Sequence, residues 1–504
     1  GAGSFTIDAQ AGNDTITVSG KSGAFTDRID GGTGTDSLSI SFSGVANLGD
    51  FPSFSFDSST QFFSLVDANG GTIQFSNIEN LSVGSFAYSR VLDPTGNQEQ
   101  AFFSPTEKVV YMFNSGTTGA DVQDDLFSGA TNPNAANLPS LARTDNVTVV
   151  GSAGNDTMSL DISSGAGRAN NLSGNLTLNM GAGNDALNNS RFQNGDSVDM
   201  GTGDDTVVVG GRNDIGGGVG QFSAGVTIGN LNLSRLDGGA GNDTLSFSPL
   251  KDSGLTLTLN TAGATNFENI IGTQQGESIA GDGGGNTLEG SGGNDTISGL
   301  GGNDVIFGDF ADSGLSPGND TITGGAGNDT INSGVGDDSI DGGTGADIIT
   351  SGSGADTIII RAGDGGSTLA DADTITDFTD GTDLIGLDGI ASSDLTIVQG
   401  SGSNANDTII SLTSSSEFLA VLQNITATNI TASDLVSTST AAQTLIGTSG
   451  NDILIGGAGA DTISGLGGSD TIQAAGGDDT INVSGKSGSF TDRIDGGSGT
   501  DSLS

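Results

Sequence analysis

Residues 324–359 read GGAGNDTIN SGVGDDSID GGTGADIIT SGSGADTII, four nonapeptides in a row. Each follows Gly-Gly-x-Gly-x-Asp-x-(Ile/Leu/Val)-x, with Ser replacing the first Gly in two of them. The same beat runs through residues 290–298 and 299–307, and returns at 447–455, 456–464, 465–473 and 474–482. A short fixed period is the signature of a solenoid, in which each repeat buries its apolar face only by stacking on the next. Glycine adopts positive φ without steric penalty, so GGxG bends sharply. The x-(Ile/Leu/Val)-x tripeptide then runs extended, with its central residue turned inward. Two nonapeptides make one 18-residue coil of a flattened parallel β-solenoid, with rungs about 4.8 Å apart. Leu288, Ile297, Ile306, Ile322, Ile331, Ile340, Ile349 (or Ile348) and Ile358 form its stacked core.

The aspartates stack with the same period. Asp295 and Asp304 fall on opposite edges of a coil, and Asp329, Asp338, Asp347 and Asp356 alternate likewise. Carboxylates so close repel unless a cation lies between them. Carboxylate and turn-carbonyl oxygens are hard ligands, which suit Ca²⁺ better than softer metals or Mg²⁺.

Composition supports this. The 504 residues hold 88 Gly, 61 Asp and Glu, and only 13 Lys and Arg, for a net charge of −48. That balance excludes nucleic acid and anionic lipid as natural partners. Cys, His and Trp are absent. Disulfides, thiolate or His-zinc sites and Ser-His-Asp chemistry are therefore excluded. A paired-carboxylate glycosidase is a poor reading, because a catalytic pair is unique and these carboxylates recur in every rung. No enzyme is expected here. No apolar run is long enough to span a bilayer, so membrane insertion is not expected. The opening at Gly1, with neither Met nor leader, reads as a fragment or processed form.

These residues resemble the RTX (repeats-in-toxin) family. The resemblance implies a parallel β-roll or β-solenoid with Ca²⁺ between turns; with the apolar-polar alternation of residues 37–84, which reads as strands, the chain is expected to be all-β, the roll joined by a β-rich insertion and a β-sandwich-like element. The resemblance implies that the sixth-position aspartate binds calcium together with turn carbonyls. Carried over, the implied ligands are Asp295, Asp304, Asp320, Asp329, Asp338, Asp347 and Asp356, then Asp452, Asp461, Asp470 and Asp479. Isolated copies add Asp14, Asp36, Asp156, Asp185, Asp205, Asp243 and Asp501, while Asn286 and Glu277 occupy degenerate rungs. At one ion per copy, about eighteen Ca²⁺ would neutralise on the order of 36 charges. Residues 373–387, DTITDFTDGTDLIGL, resemble the element that follows the roll in that family. Its members are typically exported from bacteria by type I secretion and fold outside the cell in calcium.

The two ends match. Residues 16–39 and 481–504 agree at 21 of 24 positions, at a constant offset of 465. This reads as one unit of a longer tandem array plus an overlap, or else as local duplication. Phe5 stands where the second copy has Asp470, so that rung is expected to bind metal weakly or not at all. Lys21 and Arg28, with Lys486 and Arg493, read as solvated side chains on the roll, with pairing to acidic neighbours as the alternative, although surface pairs contribute little.

The organisation read from these signals is as follows. Residues 1–39 are RTX rungs, and 40–145 a Phe-rich β domain with an irregular insertion. Residues 146–271 are an irregular solenoid with spaced copies, and 272–361 the main roll. A β element at 362–436 follows, then a linker and second roll at 437–504 that starts the next tandem unit. Residues 51–113 hold ten of the 23 Phe and read as a β core, or as a contact between neighbouring units through Phe102, Phe103 and Val109–Phe113. N-D-T triplets at Asn13, Asn155, Asn242, Asn294 and Asn328 match a glycosylation sequon but are better explained by the repeat.

The expected function is structural: a calcium-dependent repeat unit of a secreted or cell-surface bacterial filament, sheath or S-layer-like assembly, self-associating with copies or tandem units of itself. Two alternatives stay open. One is the stalk or ligand region of a giant adhesin that touches cell-surface glycan. The other is a calcium-folded accessory module of a type I-secreted enzyme.

Overall fold

The computed structural model describes residues 3–57, 59–91, 101–112, 121–122, 146–151, 154–159, 176–190, 196–209, 233–247, 256–259, 264–309, 317–484, 486 and 490–504. Of the Phe-rich domain with its irregular insertion, residues 92–100, 113–120 and 123–145 lie outside them. Among the described residues there is no α-helix; short strands alternate with Gly-rich turns and a few three-residue 3₁₀ turns. No described helix is long and apolar enough to cross a membrane. The fold is all-β and dominated by parallel pairing, as the nonapeptide requires. The chain divides into two compact units: residues 1–252 with 259–270, and residues 253–258 with 271–504.

In the second unit the beat becomes a two-sided roll. Along one face Leu257, Ile279, Ile297, Ile322, Ile340, Ile358, Ile385 and Leu435 lie in one parallel register. Along the other run Leu288, Ile306, Ile331, Ile349 and Ile375. All are buried. Flanking Thr and Ser project outward because strand side chains alternate faces. The choice between Ile348 and Ile349 is settled by that alternation: Ile349 is buried and Ile348 is 48% exposed. The 373–387 segment extends both faces. Asp373–Ile375 joins Ile348–Thr350, and Leu384–Asp388 joins Thr357–Arg361. The antiparallel strands Leu395–Gln399, Thr408–Leu412 and Phe418–Leu422 follow. The last ladder forms its own pair of sheets. Thr444–Ile446, Thr462–Ser464, Thr480–Asn482 and Ser502–Leu503 make one; Ile453–Ile455, Thr471–Gln473 and Arg493–Asp495 make the other.

The first unit varies the same plan. Its opening coils, Thr6–Asp8 on Thr26–Asp30 and Thr15–Ser19 on Ser37–Ser41, continue in parallel onto Thr72–Ser76 and Asn80–Val83. Antiparallel strands Ser53–Asp57 and Phe62–Val66 widen one sheet. One core takes in Ile16, Ile29 and Leu38 together with the phenylalanines. Phe63 stacks on Phe75 at 5.2 Å, and Phe102 meets both edge-on. Phe102 and Phe103 are completely buried. Both are therefore interior residues, as the β-core reading expects, and Phe102 is held there by edge-to-face ring packing. Phe113 lies outside the described residues. From Val147 the roll resumes with long spacers. Val149, Leu178, Val198 and Leu236 share one face, and Met158, Leu187, Val207 and Leu245 the other.

The alternation gives a stability test. Ile340→Ala is expected to lose about 2–5 kcal/mol in denaturant unfolding with calcium present, since a stacked core cannot close on the cavity. Ile348→Ala, on the outer face of the same roll, is expected to stay within about 0.5 kcal/mol. Equal losses would refute the stacking.

Candidate metal centre

The sixth-position aspartate sits where the turn ends and the strand begins. In the main roll its Oδ1 accepts a hydrogen bond from the backbone N–H of the equivalent residue one coil earlier. On one edge Glu277 N donates to Asp295, Asp295 N to Asp320, Asp320 N to Asp338, Asp338 N to Asp356 and Asp356 N to Asp383, at 2.6 to 3.2 Å. On the other, Asn286 N donates to Asp304, Asp304 N to Asp329, Asp329 N to Asp347 and Asp347 N to Asp373, at 2.7 to 3.0 Å. Partners stand 18 residues apart in regular coils and 25 apart where the chain is lengthened.

The isolated copies do the same. Asp14 N donates to Asp36 and Asp36 N to Glu79. Asp156 N donates to Asp185, Asp185 N to Asp205, Asp205 N to Asp243 and Asp243 N to Glu268. In the last ladder Asp452 N donates to Asp470, Asp461 N to Asp479 and Asp479 N to Asp501. All eighteen aspartates expected from the sequence thus lie on such ladders.

The ladders also contain residues that sequence reasoning passed over. Asp27, Asp196, Asp373, Asp383 and Asp492 accept in the same way, and Glu79 and Glu268 end two of the chains. The signal that finds the aspartates is Asp two residues before an inward Ile or Val, irrespective of the GGxG frame. Residue five carries a parallel ladder. Asn294 Oδ1 accepts from Asn319 N, Asn319 Oδ1 from Asp337 N and Asp337 Oδ1 from Ala355 N, at 2.9 to 3.0 Å. Asn13, Asn155 and Asn328 serve likewise. This gives N-D-T a structural reason.

The other carboxylate oxygen is left over. Oδ2 of Asp14, Asp36, Asp185, Asp205, Asp243, Asp295, Asp304, Asp320, Asp329, Asp338, Asp347, Asp356 and Asp479 is buried without a hydrogen-bond partner. A buried carboxylate oxygen without a partner is costly, and a cation removes that cost. The first Gly of each repeat keeps room for these oxygens. A Cβ on Gly290 would stand 2.3 Å from Asp295 Oδ2 and 2.7 Å from the Gly308 carbonyl. The same pair of oxygen types, carboxylate and neighbouring-coil carbonyl, crowds Gly299, Gly308 and Gly324. At Gly327 (φ +134°) an added Cβ would also run into the Gly302 carbonyl.

Among the described residues no three Asp, Glu, His or Cys side chains converge as a metal-holding group. A bound ion would therefore draw on one or two carboxylates and complete its shell with carbonyls, a donor set of hard oxygens that fits Ca²⁺. The degenerate rungs differ. Glu277 gives its oxygens to Thr273 N and Oγ1, and Asn286 Oδ1 accepts from Asp282 N. Some aspartates have Oδ2 engaged as well: Asp452 with Thr448 N at 2.6 Å, Asp461 with Gly457 N at 2.8 Å and Asp470 with Lys486 Nζ at 2.5 Å.

Burial raises the carboxyls above the ordinary 3.8, opposed by the amide that donates to each. Asp295 rises to about 9, Asp185 to about 8, Asp320 to about 7, and Asp304 and Asp356 to about 6.

Two expected solvated cations are not solvated. Lys21 Nζ lies 2.5 Å from Asp27 Oδ1 and 4.0 Å from the centre of the Phe5 ring, with its side chain 9% exposed. Lys486 is 2% exposed between Asp470 and Asp492. Arg28 stacks on the Phe62 ring at 3.8 Å. Arg361 gathers Asp341, Asp364 and Asp388.

Stacked rungs of parallel strands with carboxylates at each turn define the class: a metal-binding β-roll. The sequence model of the RTX calcium-binding nonapeptide repeat matches residues 142–162, 234–247, 280–313, 316–340, 327–358, 334–366, 444–482 and 487–504. The chain carries this RTX repeat in several copies along its length. No curated protein matches the chain. The repeat is a structural module that implies Ca²⁺ binding, and proteins bearing it are typically secreted bacterial proteins.

The raised carboxyls give a pH test on metal-free protein. Between about pH 4 and 9 the metal-free fold holds protons that the unfolded chain has released, so its stability falls as pH rises. In excess chelator the β-sheet circular dichroism at pH 5 should exceed that at pH 8. With calcium the order should reverse, because protons compete with the metal for the same oxygens. A pH-independent signal in chelator would show that the carboxyls do not limit the fold.

Proposed function

We propose that this chain is a calcium-dependent structural unit of an extracellular or cell-surface bacterial assembly of filament, sheath or S-layer type. The observation that carries the reading is the row of buried, partnerless Oδ2 oxygens repeated coil after coil. A catalytic site needs a single constellation; a row of equivalent carboxylates serves the fold itself. Those aspartates are the proposed ligands, with the turn carbonyls beside them. Calcium neutralises the ladder and makes the roll rigid. Below the required calcium level the charge of −48 expands the chain. That suits export in an unfolded form followed by folding outside the cell.

The repeat of the chain's opening at an offset of 465 supports serial use of the scaffold. The likeness extends beyond sequence. Ser4 Oγ accepts from Thr26 N, and Ser469 Oγ from Thr491 N, each at 2.8 Å. Self-association, in tandem or between copies, is the proposed partnership.

Two measurements test this. Calcium titration followed by circular dichroism should convert a largely unfolded ladder into β-structure, and full β signal in excess chelator would exclude the calcium-folding step. Electron microscopy of purified protein in millimolar calcium should show ordered fibres or lattices that dissolve on chelation. Isolated flexible rods at all protein concentrations would exclude the assembly role and favour an adhesin stalk.

A further inference from the structure

Within the calcium reading above, we infer that the rung between Asp470 and Asp492 takes no calcium, because the chain supplies its own cation there, the ammonium of Lys486. Lys486 Nζ lies 2.5 Å from Asp470 Oδ2 and 2.8 Å from Asp492 Oδ1, and 3.2 Å from the Gly468 carbonyl. The lysine side chain is 2% exposed, Asp470 0% and Asp492 7%. Carboxylates of successive coils and a turn carbonyl are the donors proposed for calcium elsewhere. At this rung Asp470 Oδ2, the oxygen left free along the main roll, is already held.

The coil is built for this. Asp470 and Asp492 are 22 residues apart, against 18 in the regular roll, and the lengthened turn bears the lysine. The other copy of the segment provides an internal comparison at the constant offset of 465. There Lys21 Nζ meets Asp27 Oδ1 at 2.5 Å and the Gly3 carbonyl at 2.6 Å, matching Asp492 and Gly468. The position of Asp470 is taken by Phe5, whose ring centre lies 4.0 Å from the ammonium. Phe5 N still donates to Asp27 Oδ1, as Asp470 N donates to Asp492. An aromatic face attracts an ammonium, whereas it gives no oxygen to Ca²⁺, which requires six to eight. The exchange of carboxylate for ring keeps a lysine-centred rung intact and would abolish a calcium-centred one. Asp27 Oδ2 has no hydrogen-bond partner, but its carboxylate charge is already matched by Lys21.

Asp470, a ligand by the family resemblance, is thus none here, and the rung between Asp470 and Asp492 closes without metal. The test is calcium stoichiometry by equilibrium dialysis on the full chain, comparing wild type, Asp470→Asn and Asp338→Asn. Expected is a loss of at least one bound calcium in Asp338→Asn and none in Asp470→Asn. Loss in both overturns the lysine rung and leaves the calcium reading standing. Loss in neither overturns the calcium reading, and the inference falls with it. Should Asp470→Asn fail to fold, calcium-soaked wild-type crystals decide. Anomalous scattering between Asp470 and Asp492 refutes the inference; its absence there, with peaks along the 295–356 ladder, upholds it.

Discussion

Along the 295–356 ladder of the main roll, each coil is joined to the next by a carboxylate that does two things at once. Oδ1 of the turn aspartate accepts the amide of the preceding coil, as between Asp338 N and Asp356 at 2.9 Å. That bond fixes the carboxylate in the interior and leaves Oδ2 with nothing to accept. The backbone geometry therefore creates the need that the proposed calcium would meet. A chain that satisfied both oxygens locally would stack equally well but would have no use for calcium. At Asp452 both oxygens accept from Thr448, through its N–H and its Oγ1.

The apolar stack and the charged edge depend on each other. Two columns of Ile, Leu and Val give the roll its driving force, but they are thin, one inward residue per strand. The aspartates, two residues before each inward side chain, are carried into the interior by the same pleat. Hydrophobic burial thus draws carboxylates out of water, which is why their proton affinity rises. A cation at the turns reconciles the two. Where the chain departs from the nonapeptide, it does so by changing how that charge is met: Arg361 gathers Asp341, Asp364 and Asp388 beyond the main ladder, and lysines cover the lengthened turns.

The Phe-rich part of the first unit solves the same problem differently. Antiparallel strands and stacked rings give it a thicker core, in which Tyr88 is anchored by Leu48 N and Glu107 rather than by a ladder. A repeat fold with one-residue-deep faces has few ways to build a wide surface, and this insertion supplies one.

Much of this was written in the period. The Asp-x-Ile spacing assigns inward residues, edges and turns, because a strand's alternation and a turn's glycine demand are local. The eighteen ladder aspartates were legible for that reason. Asp27, Asp373, Asp383 and Asp492 were not, since their turns lack the GGxG frame and only the coil register returns them to the ladder. The choice between Ile348 and Ile349 needed the pleat's phase, and the burial of Phe102 needed strands far apart in sequence to meet. The fate of the lysines is the clearest case. In the linear chain Lys21 and Lys486 are charged residues in polar turns, which favour solvent. Only the register of a lengthened coil against its neighbour places Lys486 between Asp470 and Asp492, and Lys21 between Asp27 and the Phe5 ring, because residues far apart in sequence meet there.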